Sequence, residues 1–208
     1  MFDKPFSAAC ENNKGPILAV LRRYLTAPAT VLEIGSGTGQ HSVHFGAALP
    51  QVTWQTSDLP ANHAGIRAWL DEAGLPNVLP PLQLDVAGGS WETGPVDAVF
   101  SANTAHIMHW PVVVAMLAGV GRLLRDDGLF MLYGPFNYDG RHTSESNARF
   151  DLSLRMNDPG MGIRDFEAVR DELARAGLAL EADHEMPANN RLLVFRRSGA
   201  SPAAVDPD

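Results

Sequence analysis

The sequence predicts an α/β fold, a mostly parallel sheet with crossover helices, and three observations carry that prediction. Short β-rich runs alternate along the chain with longer stretches of helical period, which is the pattern of strand-helix-strand units. Successive strands meet an acid, with Glu33 inside the first, Asp58 after the second and Asp85 after the third. Between the first strand and the helix that follows it stand the alternating glycines Gly35, Gly37 and Gly39, which permit positive φ where the chain must turn sharply and remove every Cβ from the loop.

Each element follows from its own residues. Pro16 to Leu25 places Ile17, Leu18, Leu21, Tyr24 and Leu25 on one helical face, with Pro16 suited to the first turn. Phe6 to Lys14 is polar and without period, so residues 1–15 read as a flap across a ligand site or as a frayed terminus. Val31 to Ile34 is the first buried strand, His41 to Leu49 a helix, and Val52 to Ser57 an alternating strand. Asn62 to Ala73 reads as a helix stopped by Gly74, and Leu82 to Leu84 as a short third strand. Val96 to Ala102 is almost continuously apolar, as a central parallel strand buried on both faces should be. In the next helix, Val112 to Leu124, Gly119 and Gly121 invite close packing on the sheet. Asp126-Asp127-Gly128 turns the chain into a fifth strand, Leu129 to Tyr133.

Residues 134–162 form a polar insertion, weakly helical over Ser144 to Met156, and an insertion of that length reads as a lid. Ile163 to Ala176 is an amphipathic helix capped by Gly177. Leu178 to Met186 and Arg191 to Arg197 are strands joined through Pro187-Ala188-Asn189-Asn190, a tight turn that implies an antiparallel pair. One domain over 1–197 accounts for these elements, and 198–208 reads as a disordered tail.

Composition narrows the function. A formal net charge of -8, with arginines only in pairs such as Arg22-Arg23 and Arg196-Arg197, argues against a nucleic-acid partner. A single cysteine, Cys10, excludes an intramolecular disulfide and suits a reducing compartment. Met1 to Pro5 lacks an apolar signal core and the apolar run from Val112 to Val120 is too short for a bilayer, so the expectation is a cytoplasmic protein without a membrane partner. His41 with His44, and His106 with His109, are pairs three residues apart with no carboxylate or cysteine at ligand spacing, and no metal is expected.

The ligand of the glycine loop can be argued from charge. Glu33 would repel a pyrophosphate and suits a cationic or hydroxyl-bearing ligand, and Asp58 follows Gly35 at the separation where a carboxylate meets ribose hydroxyls. A dinucleotide fingerprint wants glycine where Gln40 stands. Glu33 to Gly39, with Asp58 and Asp85 after it, resembles the class I S-adenosylmethionine-dependent methyltransferases over about Thr30 to Arg197. That resemblance implies a three-layer, Rossmann-like α/β fold with a seven-stranded sheet in the order 3-2-1-4-5-7-6, mostly parallel with an antiparallel C-terminal strand. It also implies S-adenosyl-L-methionine as cofactor, held by Glu33, Gly35, Ser36, Gly37, Gly39, Gln40, His41, Asp58, Leu59, Asp85, Val86 and Asn103.

A narrower resemblance is to the methyltransferase-like 26 family. It rests on Asn13-Lys14-Gly15-Pro16-Ile17, Ser36 to His41, Asn103-Thr104-Ala105-His106, Tyr133-Gly134-Pro135-Phe136, Ser144-Glu145-Ser146-Asn147 with Phe150-Asp151, Gly162 to Asp165 and Met186 to Asn190. Asn12 stands where that pattern has arginine, and Thr104 where it has methionine.

His106 and Asn103 follow the fourth strand and are the catalytic candidates, His106 with a side chain suited to a general base or simply packed beneath a loop. Trp110, Tyr133, Phe136, Asn147, Asn189 and Asn190 are the candidates for the acceptor pocket, although such aromatics also fill cores. The expected reaction is methyl transfer to an O or N nucleophile of a small molecule by a monomer or homodimer. The alternative is a non-catalytic cofactor-binding or scaffold protein, and a nicotinamide oxidoreductase is disfavoured by the glycine spacing.

Overall fold

Burial with period 2 on both faces builds the sheet. The computed structural model describes residues 4–88 and 91–199. In β1 (Ala29–Ile34), Leu32 and Ile34 face one helical layer while Val31 faces the other. The same alternation runs through β4 (Val96–Ala102) and β5 (Leu124–Gly134), where Val99, Phe130 and Leu132 join the first core and Phe100, Leu129 and Met131 the second. Strands covered on both faces need little polar surface, hence their apolar runs.

With β2 (Val52–Asp58), β3 (Val78–Gln83), β8 (Leu178–Met186) and β9 (Asn190–Arg197), these strands form a seven-stranded sheet in the order β3-β2-β1-β4-β5-β9-β8. Only β9 runs against its neighbours, β5 and β8. This is the expected order, the last two strands being renumbered because β6 (Phe136–Asn137) and β7 (Arg164–Asp165) form a separate parallel pair. Helices α1 (Ala8–Tyr24) and α2 (Gln40–Ala48) cover one face, joined by Leu70 of α3 (His63–Ala73). α4 (Trp110–Leu123) and α6 (Phe166–Arg175) cover the other, and α5 (Glu145–Asn157) lies in the insertion.

Several boundaries differ from expectation, each for a physical reason. α1 begins at Ala8, so Pro16 sits inside the helix and the expected flap is largely helical. Gly15 and Pro16 lower helix propensity by roughly 1 and 3 kcal/mol, and packing against α2 overrides them. Ser7 caps the helix by accepting from the Cys10 amide, and the Gln40 side chain donates to Glu11 at 2.8 Å. β3 begins at Val78 and includes Pro80 and Pro81, which an edge strand, paired among the described residues only with β2 and shifted in register there, tolerates. Asp126 to Gly128 is a bulge within β5, with Asp127 at φ 63°, where the register with β4 shifts. α4 begins earlier, at Trp110 with Pro111 in its first turn, and α6 begins later, because Arg164 and Asp165 pair with β6. Of the tail read as disordered, 200–208 lies outside the described residues, as does Met1 to Asp3.

The α4 glycines pack sideways instead of onto the sheet. A Cβ on Gly119 would meet the Trp91 ring at 2.3 Å, and one on Gly121 the Ala176 carbonyl oxygen at 2.5 Å. Gly121→Ala should therefore destabilise the protein by about 1–3 kcal/mol through overpacking against backbone that cannot yield. Urea denaturation measures this, and an unchanged midpoint would contradict the close approach of α4 to the end of α6.

Candidate functional site

The carboxyl ends of β1, β2, β4 and β5 and the residues just past β3 open onto one cavity of about 940 Å³, lined there by Ile34, Asp58, Leu84, Ala102 and Tyr133. This is where an open parallel sheet presents its ligand crevice. A volume near the top of the usual range for small-molecule sites leaves room for a second molecule beside a first.

The glycine loop forms the floor. Gly35, Gly37 and Gly39 all take positive φ, at 72°, 59° and 90°. A Cβ on Gly35 would stand 2.6 Å from Thr104 Cγ2, and one on Gly39 3.1 Å from the Ile66 backbone. At Gly37 the nearest obstacle is 4.0 Å away, so its bare backbone faces open space. Beneath the loop, Glu33 is 2% exposed. One of its oxygens accepts from Ser36 Oγ at 3.0 Å, from Trp54 Nε1 at 2.9 Å and from the Ser42 hydroxyl. Burial raises its pKa, and these donors oppose the shift.

Asp58, at the end of β2, reaches back to the loop. Its Oδ2 accepts from the Gly37 amide at 2.7 Å, while Oδ1 accepts from the Leu59 amide and Asn62 Nδ2, both at 2.7 Å. An oxygen has two lone-pair directions, so Oδ2 keeps one for a ligand hydroxyl. Asp85 is exposed, and its Oδ1 accepts from the Ala87 amide at 3.0 Å.

The roof comes from α1. His41, at the start of α2, donates from Nε2 to Asn13 Oδ1 at 2.6 Å, which leaves Nδ1 facing the Cys10 thiol at 4.0 Å. It stacks on Phe45 with ring centroids 5.2 Å apart. Burial lowers its pKa to about 4, and the same effect raises that of Cys10, so both are neutral.

Past β4, Asn103 takes φ 59°, a conformation asparagine tolerates better than most residues, and its amide donates to the Tyr133 carbonyl at 2.9 Å. His106 follows on the cavity wall, 6% exposed, edge-on to Phe150 at 5.3 Å. Burial, then the Arg164 guanidinium, lowers its pKa to about 4. It is thus a neutral hydrogen-bond acceptor and not the base poised near neutrality that its unperturbed value suggests. Arg164 braces this turn by donating to the carbonyls of Ala105, Met108 and Gly160.

Of the cofactor candidates, Gly35, Ser36, Gly37, His41, Asp58, Leu59, Asp85, Val86 and Asn103 line the cavity. Glu33, Gly39 and Gln40 do not: they lie behind the loop and shape it. Of the acceptor-pocket candidates, Tyr133, Asn147 and Asn190 line the cavity. Phe136 is 1% exposed in the core, Trp110 borders a separate cleft with Arg155 and Arg164, and the Asn189 side chain bonds Ser146 on an exposed rim. Asn13, Thr104, Ile107, Phe150, Pro187 and Ala188 line it without having been singled out for that role. Of these, Phe150 stands one helical turn before Leu154, the spacing that makes Ser144 to Met156 read as helical.

A family model described as "Protein of unknown function (DUF938)" matches residues 4–197, and the chain belongs to that family. Among solved structures, an O-methyltransferase family protein from Burkholderia thailandensis aligns with a TM-score of 0.79 at 21% identity, over 90% of this chain and 57% of its own. An O-methyltransferase family 2 protein from Planctomyces limnophilus, complexed with apigenin, aligns with a TM-score of 0.79 at 16% identity, over 91% and 58%. The S-adenosylmethionine-dependent methyltransferase SibL aligns with a TM-score of 0.78 at 20% identity, over 92% and 56%. The chain thus spans little more than half the length of these structures, and the likeness speaks for a shared methyltransferase fold.

Replacing Glu33 by leucine leaves the buried Trp54 indole and two hydroxyls without their acceptor. Unsatisfied buried donors cost roughly 1–3 kcal/mol each, so Glu33→Leu should lose at least about 2 kcal/mol in urea denaturation. Acid tests the histidines. A histidine depressed from 6.5 to about 4 on folding contributes stability that is complete above pH 6.5 and lost as pH falls through about 4. Each such shift is worth roughly 3 kcal/mol. Glu33, with its pKa raised, acts in the opposite sense. The stability gap between the wild type and His106→Gln should therefore shrink between neutrality and pH 4. A constant gap would show that His106 is not held neutral.

Proposed function

We propose that this DUF938 family member transfers a methyl group from S-adenosylmethionine to an oxygen or nitrogen of a small molecule. The observation that carries the reading is the cradle at the end of β1, where an unobstructed Gly37 backbone faces the same cavity as the Asp58 and Asp85 carboxylates. The residues present fit that cofactor. Asp58 Oδ2 and the Asn62 side chain suit ribose hydroxyls, and Asp85 Oδ2, free of the contact its other oxygen makes, suits the adenine amino group. The cavity holds no lysine or arginine among its described lining residues, so nothing there invites a pyrophosphate.

The O-methyltransferase neighbours support the reaction class. The narrower placement among methyltransferase-like 26 proteins is supported by where the matching stretches fall. Asn13, Ser36 to Thr38, Asn103, Tyr133, Asn147 and Ala188 come from distant parts of the chain and line one cavity.

Held by the Gly37 backbone, Asp58, Asn62 and Asp85, the cofactor would supply an electrophilic methyl group to the acceptor's X–H, whose proton would pass to solvent. The protein's own share is mostly placement. Orientation alone can supply about 7–11 kcal/mol, whereas a general base typically adds about 10²–10⁴ in rate. His106, neutral and weakly basic, suits alignment of the X–H group better than its deprotonation. That weak basicity is also what favours the second reading, a protein that binds the cofactor without turnover.

Calorimetric titration with S-adenosylhomocysteine should show binding, weakened about 10- to 100-fold in Asp58→Ala by loss of charge-assisted hydrogen bonds. Absence of binding by either S-adenosyl compound, with NAD bound instead, would reject the proposal. Cofactor binding without methylation across a broad acceptor screen would favour the second reading.

A further inference from the structure

The cavity is electrically lopsided. Among the described residues its acidic lining side chains, Asp58 and Asp85, both lie at the ends of β2 and β3. The opposite end is bounded by the β4 and β5 ends, α5 and the turn before β9. Among the described residues it presents only neutral groups: Asn103, Thr104, His106, Tyr133, Ser146, Asn147 and Asn190. Nearby charges are spent elsewhere. Lys14 pairs with Glu11 at 2.5 Å, Arg191 with Asp183 at 2.7 Å, and Arg164 with backbone carbonyls.

These neutral groups still have hydrogen-bonding capacity. His106 is more than nine-tenths buried, faces the cavity, and has no hydrogen-bond partner for either ring nitrogen among the described residues. Asn147 donates from Nδ2 to Thr143 Oγ1 at 3.0 Å and to the Asn189 carbonyl at 3.1 Å, leaving its Oδ1 as a free acceptor. Asn190 Nδ2 donates to the Pro187 carbonyl at 3.1 Å. The remainder of this end is apolar, with Phe150 and Ile107 at the wall.

We infer that the methyl acceptor is a small uncharged molecule whose X–H group is held at the His106 imidazole. Carboxylated, phosphorylated or ammonium-bearing analogues are excluded because this end offers no counter-ion. The physical basis is the asymmetry of burial. A hydroxyl or neutral amine entering the pocket exchanges water for Asn147 and His106, whereas an ion loses its hydration and gains no opposite charge. The inference rests on the methyl-transfer reading for the role of the bound molecule, and its own content is the charge class of that molecule.

Three probes built on the same para-substituted phenol test it: 4-methylphenol, 4-hydroxyphenylacetate and tyramine, which are neutral, anionic and cationic at neutral pH. Their dissociation constants are measured by ligand-observed NMR on the protein alone and on the protein saturated with S-adenosylhomocysteine. The neutral probe should bind at least about 10-fold tighter than either charged one, and His106→Ala should weaken all three, which share the phenolic hydroxyl, while leaving the preference among them in place. Asn190→Lys, which places a cation at this end, should invert it in favour of 4-hydroxyphenylacetate. Equal or tighter binding of a charged probe to the wild type, or no binding by the neutral one, overturns the inference. The cofactor reading fails separately. Selective 4-methylphenol binding by a protein that ignores S-adenosylhomocysteine would remove the cofactor and leave the neutral pocket.

Discussion

The Glu33 carboxylate sits where β1 ends, beneath the glycine loop and out of reach of water, and three side-chain donors converge on one of its oxygens. Those donors come from the loop itself (Ser36), from α2 (Ser42) and from β2 (Trp54). A buried carboxyl group with its donors in place fixes geometry, because any displacement leaves it and them unsatisfied in a medium that solvates them poorly. Phe45, Trp54 and Phe100 pack around this point with ring centroids 5.3–5.7 Å apart. The loop therefore stands on a polar knot set in an aromatic core. Its amides and the Asp58 side chain take their positions from that base, and the roof follows through His41 and Asn13.

Much of this architecture was legible in the sequence because burial leaves a period. The doubly covered strands, the glycine loop and the antiparallel C-terminal pair announce themselves through apolar runs and turn residues. What was not legible depended on partners far away in the chain. α1 extends through Gly15 and Pro16 because Gln40 and His41 wait beside it. β3 accommodates Pro80 and Pro81 because its outer edge has no neighbour among the described residues and its register with β2 shifts there. Local propensity argues against both, and tertiary packing decides.

The site divides along the same line. Strand-end residues such as Asp58, Asp85 and Asn103 could be placed from topology, since every parallel strand delivers its carboxyl end to one edge. Residues off the sheet could not. An aromatic pattern does not separate Phe136, which fills the core, from Tyr133 three residues earlier, which reaches the cavity. Nor does a helical start reveal that Trp110 looks away from the cavity toward Arg155 and Arg164. The depressed pKa of His106 was equally hidden, because it comes from burial and from Arg164, 58 positions later in the numbering.

The cavity wall begins at Ser7 and closes at Asn190. Almost the whole polypeptide must therefore be assembled before the site exists, and no fragment carries it. Molecules that together fill it touch the first helix, the strand ends, the insertion and the turn before the last strand. Occupancy accordingly acts as a rivet between the chain's two extremities, opposing the unfolding of the entire protein and not of a single loop.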